Sequence, residues 1–378
     1  MSNKINIDDF KTSKEIQQQA IIWSQISDQF KENLDFYQNF ISKFKDYKII
    51  LTGAGTSQFI GDALCPYFFK KGLNIVSIPT TDIVSNPKNY LNPNDKTLLI
   101  SFARSGNSPE STATFDIANQ FVNNIFNLVI TCNQNGVLAK KAKETANSEL
   151  FLLPKESNDE GFAMTSSYSG MTIAALLFLS QLVNQNCFDQ IENAICRFDK
   201  ILFKLNNSIK NLNLQVNDRV VYLGSGEFKG IAIESYLKLL ELTQGIIPAF
   251  YNGILAFRHG PKSILNENTT IIFLMSKDEY SRKYEFDLIS EISNDKKIKQ
   301  LVILDNKHDV NLEKFTKFYL NLDTNDLNEI IIGIYYILFA QLLAVNTSVA
   351  VNINPDNPCP SGEVNRVVKG VKIYGDFN

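Results

Sequence analysis

The sequence has few cysteines, and none of them form the pairs that bind zinc. Five cysteines are scattered over the 378 residues, and no CxxC pair occurs among them. This odd-numbered, dispersed set indicates neither a disulfide framework nor a structural zinc site. Reduced thiols of this kind are typical of cytoplasmic proteins, so we expect a cytoplasmic protein with no metal and no cofactor.

An excess of positive charge and long apolar runs are also missing. The chain carries 37 Lys and Arg against 40 Asp and Glu, and it has no basic stripe that would bind nucleic acid. The N-terminus is polar and lacks the apolar run of a secretory signal. The longest apolar stretch, from Ile331 to Val345, covers 15 residues and predicts a buried helix rather than a membrane span. We therefore expect neither nucleic acid nor a membrane as a partner.

The length and the hydrophobic pattern predict a two-domain α/β protein. A chain of 378 residues favours two domains over one. We expect an N-terminal helical segment at 1–45, in which Thr12 and Glu15 have the spacing of a capping box. Beyond it, apolar strands alternate with loops and helices, which is the pattern of a parallel sheet covered by helices. We place the first domain at 46–200 and the second at 201–378.

The two halves of this pattern resemble each other. The strand at Val220–Leu223 restarts the alternation, and YLGSGEF in the second half is similar to LTGAGTS in the first. This short match indicates a diverged internal repeat.

Two loops of the first half have the composition of a phosphate site. Both follow predicted strands and open helices, where backbone N–H groups and the helix dipole favour an anion. Either loop alone could be a simple turn, but two in one domain favour phosphate binding. The residues that we expect to bind phosphate or substrate here are Gly55, Thr56, Ser57, Arg104, Ser105, Gly106 and Ser108. The matching loop of the second half, Ser276 to Glu279, is acidic and predicts no second phosphate site.

A second group of candidate residues lies in the other half. Glu241 ends an apolar helix, and Arg258 and His259 precede a Gly-Pro turn. From spacing alone, a solvated helix face is the better interpretation of Glu241, and His259 could equally be an ordinary loop histidine. The C-terminal stretch from Pro358 to Lys369 is polar and broken by prolines, which predicts an ordered surface arm.

Five motifs together resemble the sugar isomerase (SIS) superfamily, from about residue 48 to the end of the chain. They occur in the family's order: Gly-Thr-Ser, Ser-Gly-Asn-Ser-Pro-Glu, Leu-Lys-Leu-Leu-Glu, His-Gly-Pro and Asn-Arg-Val-Val-Lys. The opening residues, with Trp23, are similar to the branch of tagatose-6-phosphate ketose/aldose isomerases and amino-sugar-6-phosphate deaminases. The resemblance implies two SIS-type doubly wound parallel-sheet domains with an N-terminal helical segment.

The related isomerase half of glucosamine-6-phosphate synthase implies roles for the second group. Glu241 would move a proton between C1 and C2 of the sugar, and His259 would open the ring from a neighbouring subunit. Lys369 would contact the open-chain sugar, and Arg258 or Lys369 would stabilise negative charge in the intermediate. These roles imply a homodimer with its site at the subunit interface.

The chain departs from the synthase pattern in two ways. Ala103 stands where the synthase has a serine, so we expect the sugar to be held differently at that loop. The sequence starts with Met1-Ser2 and has no glutaminase nucleophile, so releasing ammonia is more plausible than building an amino sugar.

These observations lead to one main hypothesis and two rivals. The main hypothesis is an amino-sugar-6-phosphate deaminase/isomerase that acts on galactosamine 6-phosphate or glucosamine 6-phosphate. One rival is an aldose–ketose isomerase that releases no ammonia. The other is a phosphosugar-binding regulator without catalysis, although no DNA-binding segment is evident in the first 45 residues.

Overall fold

The computed structural model of the chain describes residues 7–295, 297–368 and 370–375. These residues divide into two units, each with its own sheet. The first unit comprises the described residues of 18–160, 164–195 and 361–375, and the second unit those of 7–17, 161–163 and 196–360. The domain limits expected from the sequence stay a prediction.

The first unit is built on a parallel five-stranded sheet. The strands are paired in the order β2-β1-β3-β4-β5, and they are β1 (Lys48–Thr52), β2 (Ile75–Ser77), β3 (Lys96–Ala103), β4 (Asn124–Thr131) and β5 (Ser148–Leu152). The first-unit helices are α2 (Gln19–Glu32), α3 (Leu34–Ile41), α4 (Thr56–Phe69), α5 (Thr80–Ser85), α6 (Pro87–Tyr90), α7 (Pro109–Phe121), α8 (Val137–Glu144) and α9 (Ser166–Leu182). The chain turns in opposite directions from β1 and β3, which opens a crevice beyond their carboxyl ends.

The second unit repeats this architecture. Its strands are paired in the order β10-β9-β8-β6-β7, and they are β6 (Arg219–Gly224), β7 (Ala249–Asn252), β8 (Thr269–Leu274), β9 (Gln300–Asp305) and β10 (Phe318–Asn321). Its helices are α1 (Lys11–Gln17), α11 (Glu227–Leu242), α12 (Ile254–Phe257), α13 (Glu279–Asp295), α14 (Val310–Glu313) and α15 (Glu329–Ala350), and α10 (Phe188–Ile209) passes from the first unit into the second. The predicted α/β fold with two doubly wound parallel sheets is confirmed.

The internal repeat extends to the backbone of the first loop in each sheet. Gly55 before α4 has φ 56° and ψ −128°, and Gly226 before α11 has φ 53° and ψ −125°. Glycine adopts this positive φ without the strain that a side chain would cause. A Cβ on Gly53 would lie 2.5 Å from the backbone of Ser57, and one on Gly224 would lie 2.4 Å from the backbone of Phe228. The same close approach of strand and helix is therefore preserved in both halves.

The central strands are buried on both faces. Residues 97–103 of β3 and all of β8 are buried, so these segments form continuous apolar or small-residue runs instead of alternating patterns. This is expected where helices cover both faces of a parallel sheet. In the first unit, one apolar cluster joins the sheet to α5 and α7 through Ile50, Leu99, Ile83 and Ile117.

Helix α15 is the core helix predicted from the apolar stretch. Its most apolar window has a mean hydropathy of 1.9, and 94% of that window is buried inside the protein. Among the described residues it is the single helix that is long and apolar enough to span a membrane, but its burial identifies it as a core helix.

The N-terminal segment is helical, but the capping-box interpretation is wrong. Helix α1 begins at Lys11, so Thr12 lies inside the helix. The N–H and the hydroxyl of Thr12 both donate to Oδ1 of Asp356, at 2.8 and 2.7 Å. Oε1 of Glu15 accepts the N–H of Gly161 at 3.0 Å. Both side chains therefore bind distant parts of the second unit instead of capping α1.

Candidate active site

The two predicted phosphate loops lie side by side in the first unit. One loop follows β1 and opens α4, and the other follows β3 and opens α7. Strands β1 and β3 are neighbours, with Thr52 paired to Ser101 close to the carboxyl end of each strand. Two helix N-termini therefore meet at the topological switch point of the sheet, where such folds bind ligands.

The first loop is tightly folded around Gly55. The Gly55 carbonyl accepts the N–H of Gln58 at 2.8 Å, which starts the first turn of α4. Thr56 and Ser57 are each only 5% exposed. The Ser57 hydroxyl donates to Sδ of Met164 at 3.8 Å. This interaction is weak, so the hydroxyl can donate to a stronger acceptor instead. Both hydroxyl side chains are thus held close to the helix N-terminus.

The second loop is braced by the turn that follows β4. The Ser105 carbonyl accepts the side-chain amide of Asn133 at 2.8 Å, and the Gly106 carbonyl accepts the N–H of Leu138 at 2.9 Å. The side chain of Asn107 accepts the N–H of Val137 at 3.1 Å. These bonds restrain the backbone of residues 105–107 without a ligand, which lowers the entropy cost of binding.

The two serine side chains of this loop are also constrained. The Ser105 hydroxyl accepts the N–H of Asn107 at 3.2 Å, and the Ser108 hydroxyl donates to that of Ser111 at 2.6 Å. Each oxygen retains further hydrogen-bonding capacity, because a hydroxyl has one donor and two acceptor positions.

Arg104 lies between β3 and the second loop and contacts the C-terminal arm. Its side chain is 6% exposed, and Nη2 donates to the carbonyl of Arg366 at 3.0 Å. The guanidinium therefore binds the arm, and the backbone of Arg104 directly precedes Ser105 of the second loop. Lys369, the third predicted catalytic residue, lies outside the described residues.

In the second unit, Glu241 belongs to a buried charge cluster on α11. Nζ of Lys238 lies 2.8 Å from Oε2 of Glu241 and 3.3 Å from Oε1 of Glu234. The side chains of Lys238 and Glu234 are almost fully buried, whereas that of Glu241 is 24% exposed. Burial lowers the pKa of Lys238, but the two carboxylates more than offset this effect, so its pKa is raised. Glu241 is therefore the solvent-facing member of a fixed carboxylate–ammonium–carboxylate row.

Arg258 and His259 lie on the exposed turn after α12. Nε of Arg258 lies 2.8 Å from Oε2 of Glu291, which also pairs with Lys262. These bonds, first from Lys262 and then from Arg258, hold the pKa of Glu291 below its ordinary value. His259 is exposed, and its N–H donates to the Ala256 carbonyl at 3.0 Å. The structure thus places Arg258 against α13 and leaves the imidazole of His259 at the surface of the unit.

Comparison with known proteins identifies the family of the chain. The SIS domain family matches residues 43–181. A D-galactosamine-6-phosphate deaminase (AgaS) of Shewanella sp. strain ANA-3 is 40% identical over 374 residues, which are 97% of this chain and 92% of that protein. The chain belongs to the SIS family.

Two solved structures are similar to this SIS protein over almost all of its length. The tagatose-6-phosphate ketose/aldose isomerase of Escherichia coli has a TM-score of 0.87 and 33% identity, and the match covers 97% of each chain. A candidate tagatose-6-phosphate ketose/aldose isomerase of Clostridium novyi NT has a TM-score of 0.89 and 40% identity, covering 97% of this chain and 95% of that one. The predicted family and branch are confirmed.

Sequence reasoning missed two members of the SIS protein's charge cluster. It assigned no role to Glu234 or to Lys238. The signal was present in the spacing, because residues three and four positions apart lie on one face of a helix. Glu234, Lys238 and Glu241 therefore share the face of α11 on which their charges meet.

Proposed function

We propose that the protein is an amino-sugar-6-phosphate deaminase/isomerase, with galactosamine 6-phosphate as its substrate. The observation that carries this proposal is the Glu241–Lys238–Glu234 row, found in a chain that is 40% identical to a D-galactosamine-6-phosphate deaminase. The row supplies a fixed, partly exposed carboxylate, which is the group that a 1,2-proton shift requires.

The phosphate of the substrate binds to the two loops of the first unit. Thr56, Ser57 and Ser105 donate hydroxyl hydrogen bonds, and Ser108 does so once its hydroxyl has turned away from Ser111. Gly55 and Gly106 let the backbone approach closely. Arg104 adds positive charge next to the loop. Binding energy from the phosphate, which takes no part in the chemistry, holds the sugar in its reactive conformation.

The chemical steps then use the second group of residues. His259 moves a proton between the ring oxygen and the C1 hydroxyl, so that the ring opens to an aldehyde. The Glu241 carboxylate removes the proton from C2 while the C1 oxygen gains a proton. Glu241 then delivers its proton to C1 of the resulting enolamine as the amino group loses one. This gives a ketimine at C2. Water adds to its carbon and ammonia leaves, so that galactosamine 6-phosphate and water yield tagatose 6-phosphate and ammonia.

Lys238 keeps Glu241 oriented during these steps. Its ammonium is buried and held from the other side by Glu234, so it cannot swing away as a surface lysine would. Arg258 and Lys369 are the proposed cations that stabilise negative charge on the intermediate. We further propose that the enzyme is a cytoplasmic homodimer in which His259 is contributed by the neighbouring subunit.

Parallel assays with two amino sugars test this function. Purified protein would be offered galactosamine 6-phosphate and glucosamine 6-phosphate, and ammonia would be measured. Ammonia from galactosamine 6-phosphate supports the proposal. Ammonia from glucosamine 6-phosphate alone would show that the substrate is the other C4 epimer. Ammonia from neither sugar would contradict a deaminase.

A second candidate function is aldose–ketose isomerisation without loss of ammonia. It is favoured by the names of the two solved structures, which are tagatose-6-phosphate ketose/aldose isomerases. This reaction would use the same fold and the same proton shift. Glu241 would act on a 2-hydroxy sugar instead of a 2-amino sugar. Interconversion of galactose 6-phosphate and tagatose 6-phosphate, in the absence of any deaminase activity, would favour this candidate.

A further inference from the structure

The C-terminal arm, residues 361–368 and 370–375, is attached to the first unit at two places. At the first place, Arg366 contacts Arg104, which follows β3, and Asp159, which lies in the loop before α9. At the second place, Ile373 packs against the apolar cluster formed by the sheet with α5 and α7. The arm thus crosses the unit that carries both phosphate loops.

The first attachment is a chain of two arginines and two backbone carbonyls. Nη2 of Arg104 donates to the Arg366 carbonyl at 3.0 Å, and Nη2 of Arg366 donates to the Asp159 carbonyl. Arg104 directly precedes Ser105 of the phosphate loop. The same peptide segment therefore carries a proposed phosphate ligand and a side chain that holds the arm.

Asp159 is a rigid acceptor for Arg366. It is 1% exposed, and its carboxylate accepts three backbone N–H groups, from Thr165, Ser166 and Ser167, at 2.8–3.0 Å. It also accepts the hydroxyls of Thr165 and Ser167, at 3.1 and 2.5 Å. These bonds tie Asp159 to the N-terminus of the buried helix α9, so its carbonyl has little freedom to move.

A buried cysteine lies close to this attachment. Cys132, which follows β4, lies near both arginines, and burial raises the pKa of its thiol to about 12. The thiol is therefore neutral at physiological pH and adds no negative charge beside the two guanidinium groups. Both arginines bind backbone carbonyls through a planar guanidinium. Because this group is rigid, little conformational entropy is lost for each hydrogen bond that forms.

We propose that Arg366 is a positioning residue, which together with Arg104 holds the C-terminal arm on the phosphate-binding unit and couples the arm's placement to phosphate binding. Phosphate on Ser105 and Ser108 restrains the loop that Arg104 belongs to, and Arg104 restrains the arm. The effect on kcat that we expect from this coupling rests on the proposed function, since it assumes that the arm takes part in turnover of a sugar phosphate.

Steady-state kinetics and limited proteolysis of the full chain test this coupling. Arg366→Ala is expected to lower kcat about tenfold or more, which is the factor for losing one charge-assisted hydrogen bond. KM for the sugar phosphate is expected to change less than threefold. Arg366→Lys retains an N–H donor and is expected to recover part of kcat. Lys372→Ala removes one positive charge from the same arm and serves as the matched control with unchanged kinetics.

Trypsin cleavage after Lys372, followed by mass spectrometry, measures how accessible the arm is to protease and needs no sugar substrate. Inorganic phosphate is expected to slow this cleavage in the wild type, and the protection is expected to be lost in Arg366→Ala. Equal kcat and equal protection in wild type and Arg366→Ala would overturn the inference. If the wild type deaminates neither amino sugar, the proposed function fails, yet loss of phosphate protection in the variant would still support the coupling.

Discussion

Lys238→Met tests the charge cluster of Glu234, Lys238 and Glu241 by removing its central charge. Methionine keeps the length and the apolar stem of the lysine but removes the ammonium that lies 3.3 Å from Glu234 and 2.8 Å from Glu241. The side chain of Glu234 is fully buried, so its carboxylate cannot exchange the lost cation for water. Glu241 is 24% exposed and can be hydrated in part.

The expected loss of stability follows from this difference in burial. Removing one partner of a buried ion pair costs about 3–5 kcal/mol, because the other charge stays buried. For a domain of about 150–250 residues, 1 kcal/mol shifts Tm by about 2–4 °C, so we expect the second unit to melt about 6–20 °C lower.

The effect is also expected to depend on pH. In the wild type the pKa of Lys238 is raised, so its stabilising charge is fully present at neutral and acidic pH. In the variant, burial raises the pKa of Glu234 above the value of about 4.3 that it has in an unfolded chain. The folded variant then retains a proton that the unfolded chain releases, so its stability falls as pH rises. We expect a larger deficit at pH 8 than at pH 5.

Thermal and urea unfolding at pH 5 and pH 8 would measure this effect, with a double variant as control. Adding Glu234→Gln to Lys238→Met removes the stranded carboxylate and is expected to restore most of the stability. It is not expected to restore kcat, because Glu241 still lacks its lysine. A Lys238→Met protein within 1 kcal/mol of the wild type at both pH values would refute the assignment of Lys238 as a buried counter-ion.

The remaining predictions concern catalysis, phosphate binding and one further buried acid. Glu241→Gln is expected to lower kcat about 10²–10⁴-fold while phosphosugar binding changes little, and retention of most of kcat would exclude Glu241 as the base. Ser105→Ala with Ser108→Ala is expected to raise KM at least about tenfold with a smaller effect on kcat, and an unchanged KM would exclude these phosphate ligands. Burial raises the pKa of Glu285 to about 7, so its protonation stabilises the fold by about 3 kcal/mol below pH 4.5, and this is lost as pH rises towards 7. Glu285→Gln is expected to remove that pH dependence in urea unfolding, and an unchanged slope would contradict the assignment.

The same acid binds the loop of the second sheet that corresponds to the Ser105 loop of the first. Glu285 of α13 accepts the N–H of Ser276 at 3.0 Å and also its hydroxyl. Ser276 follows β8, the strand that corresponds to β3, so an internal carboxylate binds where the first unit offers Ser105. The acidic composition of that loop predicts no phosphate site, and the structure adds the Glu285 carboxyl, whose contact with Ser276 the sequence pattern did not indicate.

The sequence predicted most of the central strands and missed two edge strands. β3 and β8 are buried apolar runs, and such runs are recognisable because both faces need apolar side chains. β7 and β10 lie at the edges of the second sheet and have four residues each, and only three of these eight residues are buried. A short, half-exposed strand has no distinctive pattern in sequence, since tertiary pairing and not composition decides whether it forms.

The candidate site was predicted unevenly for a similar physical reason. The glycine-rich loops were found because positive φ and close backbone approach restrict the residue type, as at Gly55. The pairing of Arg258 with Glu291 was not foreseen, because a long side chain can reach several partners and its spacing does not select one. The contact of Arg104 with the Arg366 carbonyl joins residues 262 positions apart, which no local pattern reveals.

The measurement that tests the central claim most directly is the stoichiometry of ammonia and keto sugar formed from galactosamine 6-phosphate. Both products would be measured in one reaction, with Glu241→Gln as the matched control. The account predicts one ammonia for each tagatose 6-phosphate in the wild type and almost no product in the variant. A wild type that forms no ammonia, or equal turnover by Glu241→Gln, would contradict it.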